Sequence, residues 1–266
     1  PGSIFKIVTV AAGLEENKFT PETTIDCRGV VVKYGWPIRT WDGKAHRTES
    51  MTEVLKNSCN VGAVWASDAL GPDLFYQYVH AFGFGQPTNI DLRGEASGQV
   101  RTPKDKGWSP IDLNTNSFGQ GISATPLQLI TAVSAIANGG KLMRPYVVDA
   151  VVGPLETRRF EPVLVRQVVS GETARAMSLM MNAVVEKGET KLAVVPGYQV
   201  AGKTGTAQIP STKGYTSETT IASFAGFGPL DHPKFAILVK IDEPQDSPWG
   251  GMVASPIFKN IAEQLL

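Results

Sequence analysis

The last third of the 266-residue chain contains strand-like segments that follow one another with no helical pattern between them. They are rich in β-branched and aromatic residues, and they read YQVAGKTGTAQI, TIASFAGFG and KFAILVKID. Parallel neighbours need a crossover connection, usually a helix, whereas antiparallel strands can be joined by short turns. The sequence therefore predicts an antiparallel sheet in this part of the chain.

Helical patterns precede this sheet, and their ends carry capping residues. Ser50 and Glu53 form the pattern of a capping box at the start of a short helix that leads into Ser58. Longer apolar periodicities predict helices over residues 3–16, 73–82, 125–138, 170–187 and 254–266. Helices in the middle and strands at the end favour an α+β fold, with an antiparallel sheet flanked by helices.

Composition excludes several classes of function. Lysine plus arginine total 25 and aspartate plus glutamate total 25, so no net charge attracts the chain to nucleic acid. No GxGxxG follows a strand, and we expect no cofactor. Cys27 and Cys59 do not have the spacing of a zinc cluster, and His46, His80 and His232 stand far apart. We interpret both cysteines as free thiols and expect no metal.

A serine and a lysine stand three residues apart in the first stretch, PGSIFKIVTVAAG. On a helix, Ser3 and Lys6 would share one face. A serine hydroxyl becomes a useful nucleophile when a base removes its proton, but an exposed lysine is protonated at neutral pH. Burial or a second cation lowers the pKa of a lysine, and Lys203 is the candidate second cation. The pair is thus a candidate nucleophile and base.

Two further motifs turn this weak signal into a specific one. Ser58 and Asn60 form an SxN after the capped helix, and Lys203-Thr204-Gly205 is a KTG in a strand pattern. The order SxxK, SxN, KTG is typical of penicillin-binding proteins and class A β-lactamases. Together with SFGQGISATPLQL, ASFAGFGP and GGMVASPIFKNIAEQLL, the trio resembles the transpeptidase domain of class B penicillin-binding proteins, over essentially all 266 residues.

The resemblance implies a fold, a reaction and residue roles. The fold would be the penicillin-binding, β-lactamase-like one, and the reaction would be peptidoglycan cross-linking through a serine acyl-enzyme that β-lactams block. Ser3 would be the nucleophile and Lys6 its base. Further roles would be a proton relay for Ser58, substrate amide binding for Asn60, positive charge for Lys203, and carboxylate binding for Thr204 and Thr206. The N–H groups of Ser3 and Thr206 would form the oxyanion hole.

Several other residues have less specific interpretations. Gly205 is expected to let the substrate backbone lie along the strand edge. Gly119, Gln120 and Gly121 form a family-like loop that we interpret as architecture. Trp249 is a candidate to line the cleft or to pack locally, whereas Trp36 and Trp41 are interpreted as local core or partner contacts.

The family also has strands, a pedestal and a membrane anchor before SxxK. We therefore expect residues 1–266 to be one N-terminally truncated transpeptidase domain that lacks the first strands of its sheet. The parent protein would be membrane-anchored, on the extracytoplasmic face, and part of a cell-wall synthesis complex. Its partners would be peptidoglycan stem peptides, as D-Ala-D-Ala donor and amine acceptor, and β-lactam antibiotics.

Two alternatives stay open on the sequence. A β-lactamase or D,D-carboxypeptidase would share the fold, but no glutamate between Asn60 and Lys203 lies in a loop that resembles the ExxLN of a water-activating base. A β-lactam sensor would be acylated once without turnover. Sensors usually carry valine where Asn60 stands, so the full trio favours an enzyme.

Overall fold

The computed structural model describes residues 1–188, 190–211 and 214–266, with side chains described outside residues 210–218. Its α-helices are α1 (Lys6–Glu15), α2 (Met51–Lys56), α3 (Asn60–Ala81), α4 (Pro110–Asn116), α5 (Pro126–Ala137), α6 (Gly171–Lys187) and α7 (Gly250–Leu265). Short 3₁₀ helices cover Gly2–Phe5 and Lys191–Ala193.

The strands fall into one long sheet and several short pairs. They are β1 (Thr24–Cys27), β2 (Val30–Lys33), β3 (Trp36–Arg39), β4 (Arg47–Ser50), β5 (Lys141–Met143), β6 (Ala150–Val152), β7 (Thr157–Arg159), β8 (Leu164–Gln167), β9 (Ala201–Ser211), β10 (Gly214–Gly228) and β11 (Phe235–Asp242). The short pairs are β1–β4, β2–β3, β5–β8 and β6–β7, all antiparallel.

The long sheet has the order β11-β10-β9, and both of its pairings are antiparallel, as predicted. Successive residues of β10 face opposite sides, as strand geometry requires. Phe224 packs on Phe258 of α7, with ring centroids 4.7 Å apart, whereas Ala225 and Phe227 belong to the core that also contains α1 and α5. Helices therefore cover both faces, and the predicted α+β class is confirmed.

Helix α1 runs through the centre of the molecule. Its residues from Lys6 to Gly13 are all buried, and it packs against α3 and α6. An interior helix with one charged residue in its first turn holds that residue in a rigid, dry place. The position of Lys6 is thus set by the core.

Two helical regions differ from the sequence prediction. The range of α3 contains a kink at Gly71, whose φ of +73° is not helical, so one helical segment precedes Gly71 and another follows it. The second segment agrees with the helix predicted over residues 73–82, and the first was not predicted. Helix α7 begins at Gly250, four residues before the predicted start at residue 254. The two glycines at 250 and 251 are typical of a loop in sequence, but here they form the first turn of the helix. Within the described residues, no helix is both long enough and apolar enough to cross a membrane.

Candidate active site

The three sequence motifs meet at one cleft of about 1280 Å³. Ser3, Ser58, Asn60, Thr204 and Thr206 line it, together with residues from β3 and from the segment before α7. Lys6 and Lys203 lie beneath this surface, and both are almost completely buried. The fold therefore brings the predicted site residues together from three distant parts of the chain, except that Gly205 does not line the cleft.

Ser3 and Lys6 face each other across one turn, but the turn is 3₁₀ and not the predicted α. With three residues per turn, a 3₁₀ helix places residues i and i+3 directly above one another. The Nζ of Lys6 lies 2.8 Å from the Oγ of Ser3. The tighter turn therefore improves the alignment that the sequence pattern predicted.

The SxN turn closes on the same amine. Lys6 Nζ lies 2.8 Å from the carbonyl oxygen of Ser58, 3.1 Å from its Oγ and 2.8 Å from Oδ1 of Asn60. Ser58 has φ +55°, a left-handed conformation that non-glycine residues rarely adopt. This backbone directs both its carbonyl and its hydroxyl at Lys6.

The orientation of Asn60 follows from its second contact. Its Nδ2 donates to the carbonyl oxygen of Arg39 at 2.9 Å, and a carbonyl accepts only. Oδ1 must therefore be the atom that faces Lys6. Both polar ends of the Asn60 side chain are engaged within the protein, so substrate binding by this amide stays a prediction.

The environment favours the neutral amine of Lys6. Burial is the largest cause that holds its pKa well below the usual lysine value, and the positive charge of Lys203 adds to the effect. Cys59 and Glu49 are smaller causes that raise the pKa of Lys6. A buried lysine with a lowered pKa can accept a proton near neutral pH, as the base hypothesis requires.

The KTG strand supplies the opposite wall. Alternation along β9 puts Thr204 and Thr206 at the cleft and buries Lys203, whose Nζ is 3.2 Å from Oγ1 of Thr204. The hydroxyl of Thr206 accepts the N–H of Gly250 at 3.3 Å. In the described sheet β9 pairs with β10 alone, so its other edge is available to an extended ligand.

Two glycines fix Ser3 against this wall. Gly2 has φ +59°, and a Cβ there would lie 3.0 Å from the carbonyl oxygen of Thr206. Gly119, with φ +81°, would place a Cβ 2.0 Å from the carbonyl oxygen of Gly2. The backbones of three segments are thus in direct contact beside the serine. The interpretation of the 119–121 loop as architecture agrees with this packing.

Comparison with known proteins agrees with this geometry. The family model described as penicillin binding protein transpeptidase domain matches residues 1–263. The chain belongs to the penicillin-binding protein transpeptidase family. The resemblance found in the sequence is therefore confirmed.

Individual relatives lead to the same family. Stage V sporulation protein D of Bacillus subtilis is 39% identical over the whole chain and 42% of its own length. PbpB of Mycolicibacterium smegmatis is 35% identical over the whole chain and 43% of its length. The crystal structure of penicillin binding protein 3 from Mycobacterium tuberculosis, complexed with aztreonam, superposes with a TM-score of 0.92 at 34% identity, over the whole chain and 61% of the other. The chain thus spans about two fifths of the length of these curated relatives.

The structure gives Gly205 a packing reason beside the expected one, and its contact with the substrate backbone stays a prediction. A Cβ there would lie 2.5 Å from Oγ of Ser223 and 2.9 Å from the carbonyl oxygen of Pro1. These atoms lie behind the strand, on the side of Lys203 and away from Thr204 and Thr206. The absent side chain makes room for protein packing.

The tryptophans correct one expectation. The sequence predicts local core or partner contacts for Trp36 and Trp41, but both line the cleft, as does Trp249. Trp41 and Trp249 meet edge to face, with centroids 5.2 Å apart. Sequence reasoning missed this because the two rings come from loops more than 200 residues apart. The one feature of the sequence that could have indicated a cleft position is that these tryptophans lie in segments rich in glycine and proline.

The two cysteines are also closer than their spacing indicates. Both are buried thiols, and their Sγ atoms lie 3.1 Å apart. Cys59 stands between Ser58 and Asn60 but does not line the cleft, and its Sγ accepts the N–H of Gly62 at the start of α3. This thiol belongs to the packed side of the SxN turn.

Proposed function

We propose that this domain is a D,D-transpeptidase, which cross-links peptidoglycan stem peptides through an acyl-enzyme on Ser3. The observation that carries the proposal is the single amine of Lys6, which lies within 3.1 Å of the hydroxyls of both Ser3 and Ser58. The named relatives support it, since they include the peptidoglycan D,D-transpeptidase FtsI of Buchnera aphidicola, 31% identical over the whole chain.

The contacts of Lys6 indicate where its lone pair points. A neutral amine has two N–H donors and one lone pair. The carbonyl of Ser58 and Oδ1 of Asn60 are obligate acceptors, both at 2.8 Å, so they take the two donors. The lone pair is then left for the hydroxyls of Ser3 and Ser58. Lys6 is held in the orientation that a general base for Ser3 needs.

The proposed reaction has two halves. Ser3 Oγ attacks the carbonyl carbon of the penultimate D-Ala while its proton passes to Lys6 Nζ. The C–N bond then breaks, and the proton moves through Ser58 to the departing D-Ala amine. In the second half an acceptor amine attacks the ester, gives its proton back through the same groups, and restores the Ser3 hydroxyl. The N–H groups of Ser3 and Thr206 would stabilise both oxyanions.

The described cleft favours amine acceptors over water. Among the described residues that line it, Asp112 is the single carboxylate. Its Oδ2 accepts the N–H of Ser109 in the cap of α4, at 2.9 Å, so it is committed to the helix end. A hydrolase of the class A β-lactamase type needs a carboxylate that activates water on the acyl-enzyme, and the residues described in this cleft offer no uncommitted one.

Ligands and cellular place extend the same proposal. The stem peptide, as donor and as acceptor, and β-lactams would occupy the cleft, with Thr204 and Thr206 on the substrate carboxylate and Lys203 nearby. A related structure, penicillin binding protein 3 of Mycobacterium tuberculosis, was solved with ampicillin. We place the parent protein in the cell envelope, membrane-anchored on the extracytoplasmic face and within a cell-wall synthesis complex, with residues 1–266 as its transpeptidase domain.

The test follows two products from one acyl-enzyme. The protein is acylated with a D-Ala-D-Ala-type donor, and free acid and new amide are measured against acceptor amine concentration. We expect amide to replace acid as acceptor rises, and a penicillin adduct on Ser3 that persists for many minutes. Rapid release of hydrolysed penicillin with no amide at any acceptor concentration would assign the chain to the hydrolases instead.

A further inference from the structure

The cleft carries positive charge that the proposed reaction does not use. Among the described residues that line it, the charged ones are Arg39, Arg101 and Asp112. The one carboxylate is already engaged, because Asp112 accepts the N–H of Ser109 in the capping box of α4. Lys203 lies beneath the same surface and adds a further cation. The cleft should therefore attract a ligand with more than one negative charge.

Both guanidinium groups are available to such a ligand. Arg39 and Arg101 are exposed, and neither makes an ion pair, a side-chain hydrogen bond or a cation–π contact with a described residue. A guanidinium offers its N–H donors in a planar fork that matches the two oxygens of a carboxylate. The chemistry of the two side chains thus points to a carboxylate as the group they would bind.

The backbone of Arg39 is anchored beside the SxN turn. Its carbonyl oxygen accepts Nδ2 of Asn60 at 2.9 Å, and β3 pairs it with Val30 of β2. The preceding residue, Ile38, is buried in a cluster with Phe118. Successive residues of a strand face opposite sides, so the strand directs Arg39 away from that cluster. Arg39 therefore lines the cleft from a fixed position next to a catalytic motif.

Arg101 is held between two fixed points of the chain. Gln99, two residues earlier, pairs with Ser123 through two backbone hydrogen bonds of 2.8 and 2.9 Å. Thr102, the next residue, donates both its N–H and its hydroxyl to Asp105, each at 2.8 Å. The backbone on both sides of Arg101 is thus ordered before a ligand binds, and only the side chain loses freedom on binding.

Arg101 lies on the α4 side of the cleft. Asn116 of α4 donates its Nδ2 to the hydroxyl of Tyr76 at 3.0 Å. Burial is the main cause that raises the pKa of Tyr76, and the smaller effects of Asp112, which raises it, and of Arg101, which lowers it, show that both lie near this residue.

The two arginines therefore stand apart from the wall that is expected to hold the terminal carboxylate of the donor. That wall is β9, with Thr204 and Thr206. Arg39 and Arg101 belong to the SxN and α4 side. A terminal carboxylate bound at β9 leaves both guanidinium groups without an anionic partner.

We propose that Arg39 and Arg101 bind a second carboxylate of the stem-peptide substrates and make the domain selective for peptides that carry one. The inference rests on the proposed function, in which the terminal carboxylate of the donor occupies β9. The second carboxylate belongs to a residue of the donor or of the acceptor. A neutral carboxamide in its place forms weaker hydrogen bonds with a guanidinium, because the charge assistance is lost.

The donor is tested with pairs of peptides that differ by one carboxylate. Each peptide ends in D-Ala-D-Ala and carries glutamate or glutamine one, two or three positions before this end. The rate of Ser3 acylation at low peptide concentration gives kcat/KM. We expect the glutamate peptide to react about 2- to 30-fold faster at one or more positions, the range for two partly exposed ion pairs.

The acceptor is tested separately, after acylation by one common donor. Glycyl-glutamate and glycyl-glutamine, each with an amidated C-terminus, compete for the acyl-enzyme, and the two amide products are measured. A preference in the first experiment places the second carboxylate on the donor, and a preference in this one places it on the acceptor. Equal rates in both experiments would overturn the proposal.

Substitutions assign the preference to the arginines. Arg39→Gln and Arg101→Gln should each reduce it, and the double substitution should abolish it. Arg101→Glu should instead favour a peptide with lysine at the same position. Arg175→Gln is the matched control, because this arginine of α6 is exposed but does not line the cleft, and the variant should keep the full preference. A preference that survives the double substitution would overturn the assignment.

Binding to Ser3→Ala separates this inference from the proposed function. The variant has no nucleophile at position 3, so its calorimetric affinity for the glutamate and glutamine peptides reports recognition alone. A preference in affinity without acylation of the native protein would contradict the proposed function and support the carboxylate subsite. Acylation of Ser3 by all donors, with equal affinities and equal rates, would contradict the subsite and leave the proposed function intact.

Discussion

The floor and the rim of the cleft are built in opposite ways. The floor consists of buried and half-buried polar groups whose positions are fixed by core helix α1, by the turn at Ser58 and by sheet strand β9. The rim consists of exposed aromatic rings, with Trp36 66% and Trp249 43% accessible, on loops and a helix end. Chemistry therefore depends on groups that cannot move, while contacts with the ligand body depend on groups that can.

The largest expected effect is at the floor. Ser3→Ala should abolish covalent labelling by a fluorescent penicillin, because no other hydroxyl is both one turn from Lys6 and open to the cleft. Ser58→Ala should slow acylation without moving the label. Mass spectrometry of the labelled peptide checks both variants. Labelling of Ser58, or full labelling of Ser3→Ala, would contradict the assignment of the nucleophile.

The second effect concerns Lys6. Lys6→Ala should lower acylation about 10²- to 10⁴-fold, the usual contribution of a general base. Lys6→Arg should be nearly as damaging, because a guanidinium stays protonated at working pH. An arginine variant with most of the native rate would show that Lys6 supplies charge and not a lone pair.

The pH profile tests the cause of the lowered pKa. Because the neutral amine is the active form, the acylation rate should rise with pH and level off well below the ordinary lysine value. Removing the second cation with Lys203→Ala should raise the pKa of Lys6 and shift the profile to higher pH. A profile that keeps its midpoint in Lys203→Ala would leave burial as the single cause.

A smaller effect should follow from loosening the floor. Gly119→Ala forces a Cβ against the carbonyl of Gly2 and should slow acylation about tenfold or more, with about 1–3 kcal/mol of strain. Gly197→Ala is the matched control, because it has a similar φ of +83° but open space around it. Its stability should fall by about 1–2 kcal/mol with no change in acylation. Thermal unfolding and labelling rates measure both.

The smallest effect is expected at the rim. Trp249→Ala removes a ring that lines the cleft and packs on Trp41. If the stem-peptide mimic packs on this ring with an aromatic contact worth about 0.5–1.5 kcal/mol, its acylation should slow about 2- to 12-fold. Trp249→Phe should recover most of the loss, and Tyr34→Ala, which removes an exposed aromatic that does not line the cleft, should leave acylation unchanged. If Trp249→Ala lowered the acylation rate as much as Lys6→Ala does, the distinction between floor and rim would be wrong.

The difference between floor and rim also explains what could be predicted from the sequence. Ser3, Lys6, Ser58 and Lys203 belong to short motifs, and the long sheet follows from the strand patterns. The Trp41–Trp249 pair and the Cys27–Cys59 approach are tertiary contacts between segments with no shared pattern. Local spacing carries no information about such contacts.

The contacts of Lys6 have a consequence for folding. Its bonds to Ser58 and Asn60 join residues separated by 52 and 54 positions, and its charge neighbour Lys203 lies in the last third of the chain. Bringing such distant segments together requires the closure of long loops, whose entropy must be offset before the contacts form. The ability to react with a penicillin therefore arises only with the complete tertiary structure. The amount of covalent label therefore measures the number of natively folded molecules. Partly folded molecules that keep their helices would not be labelled.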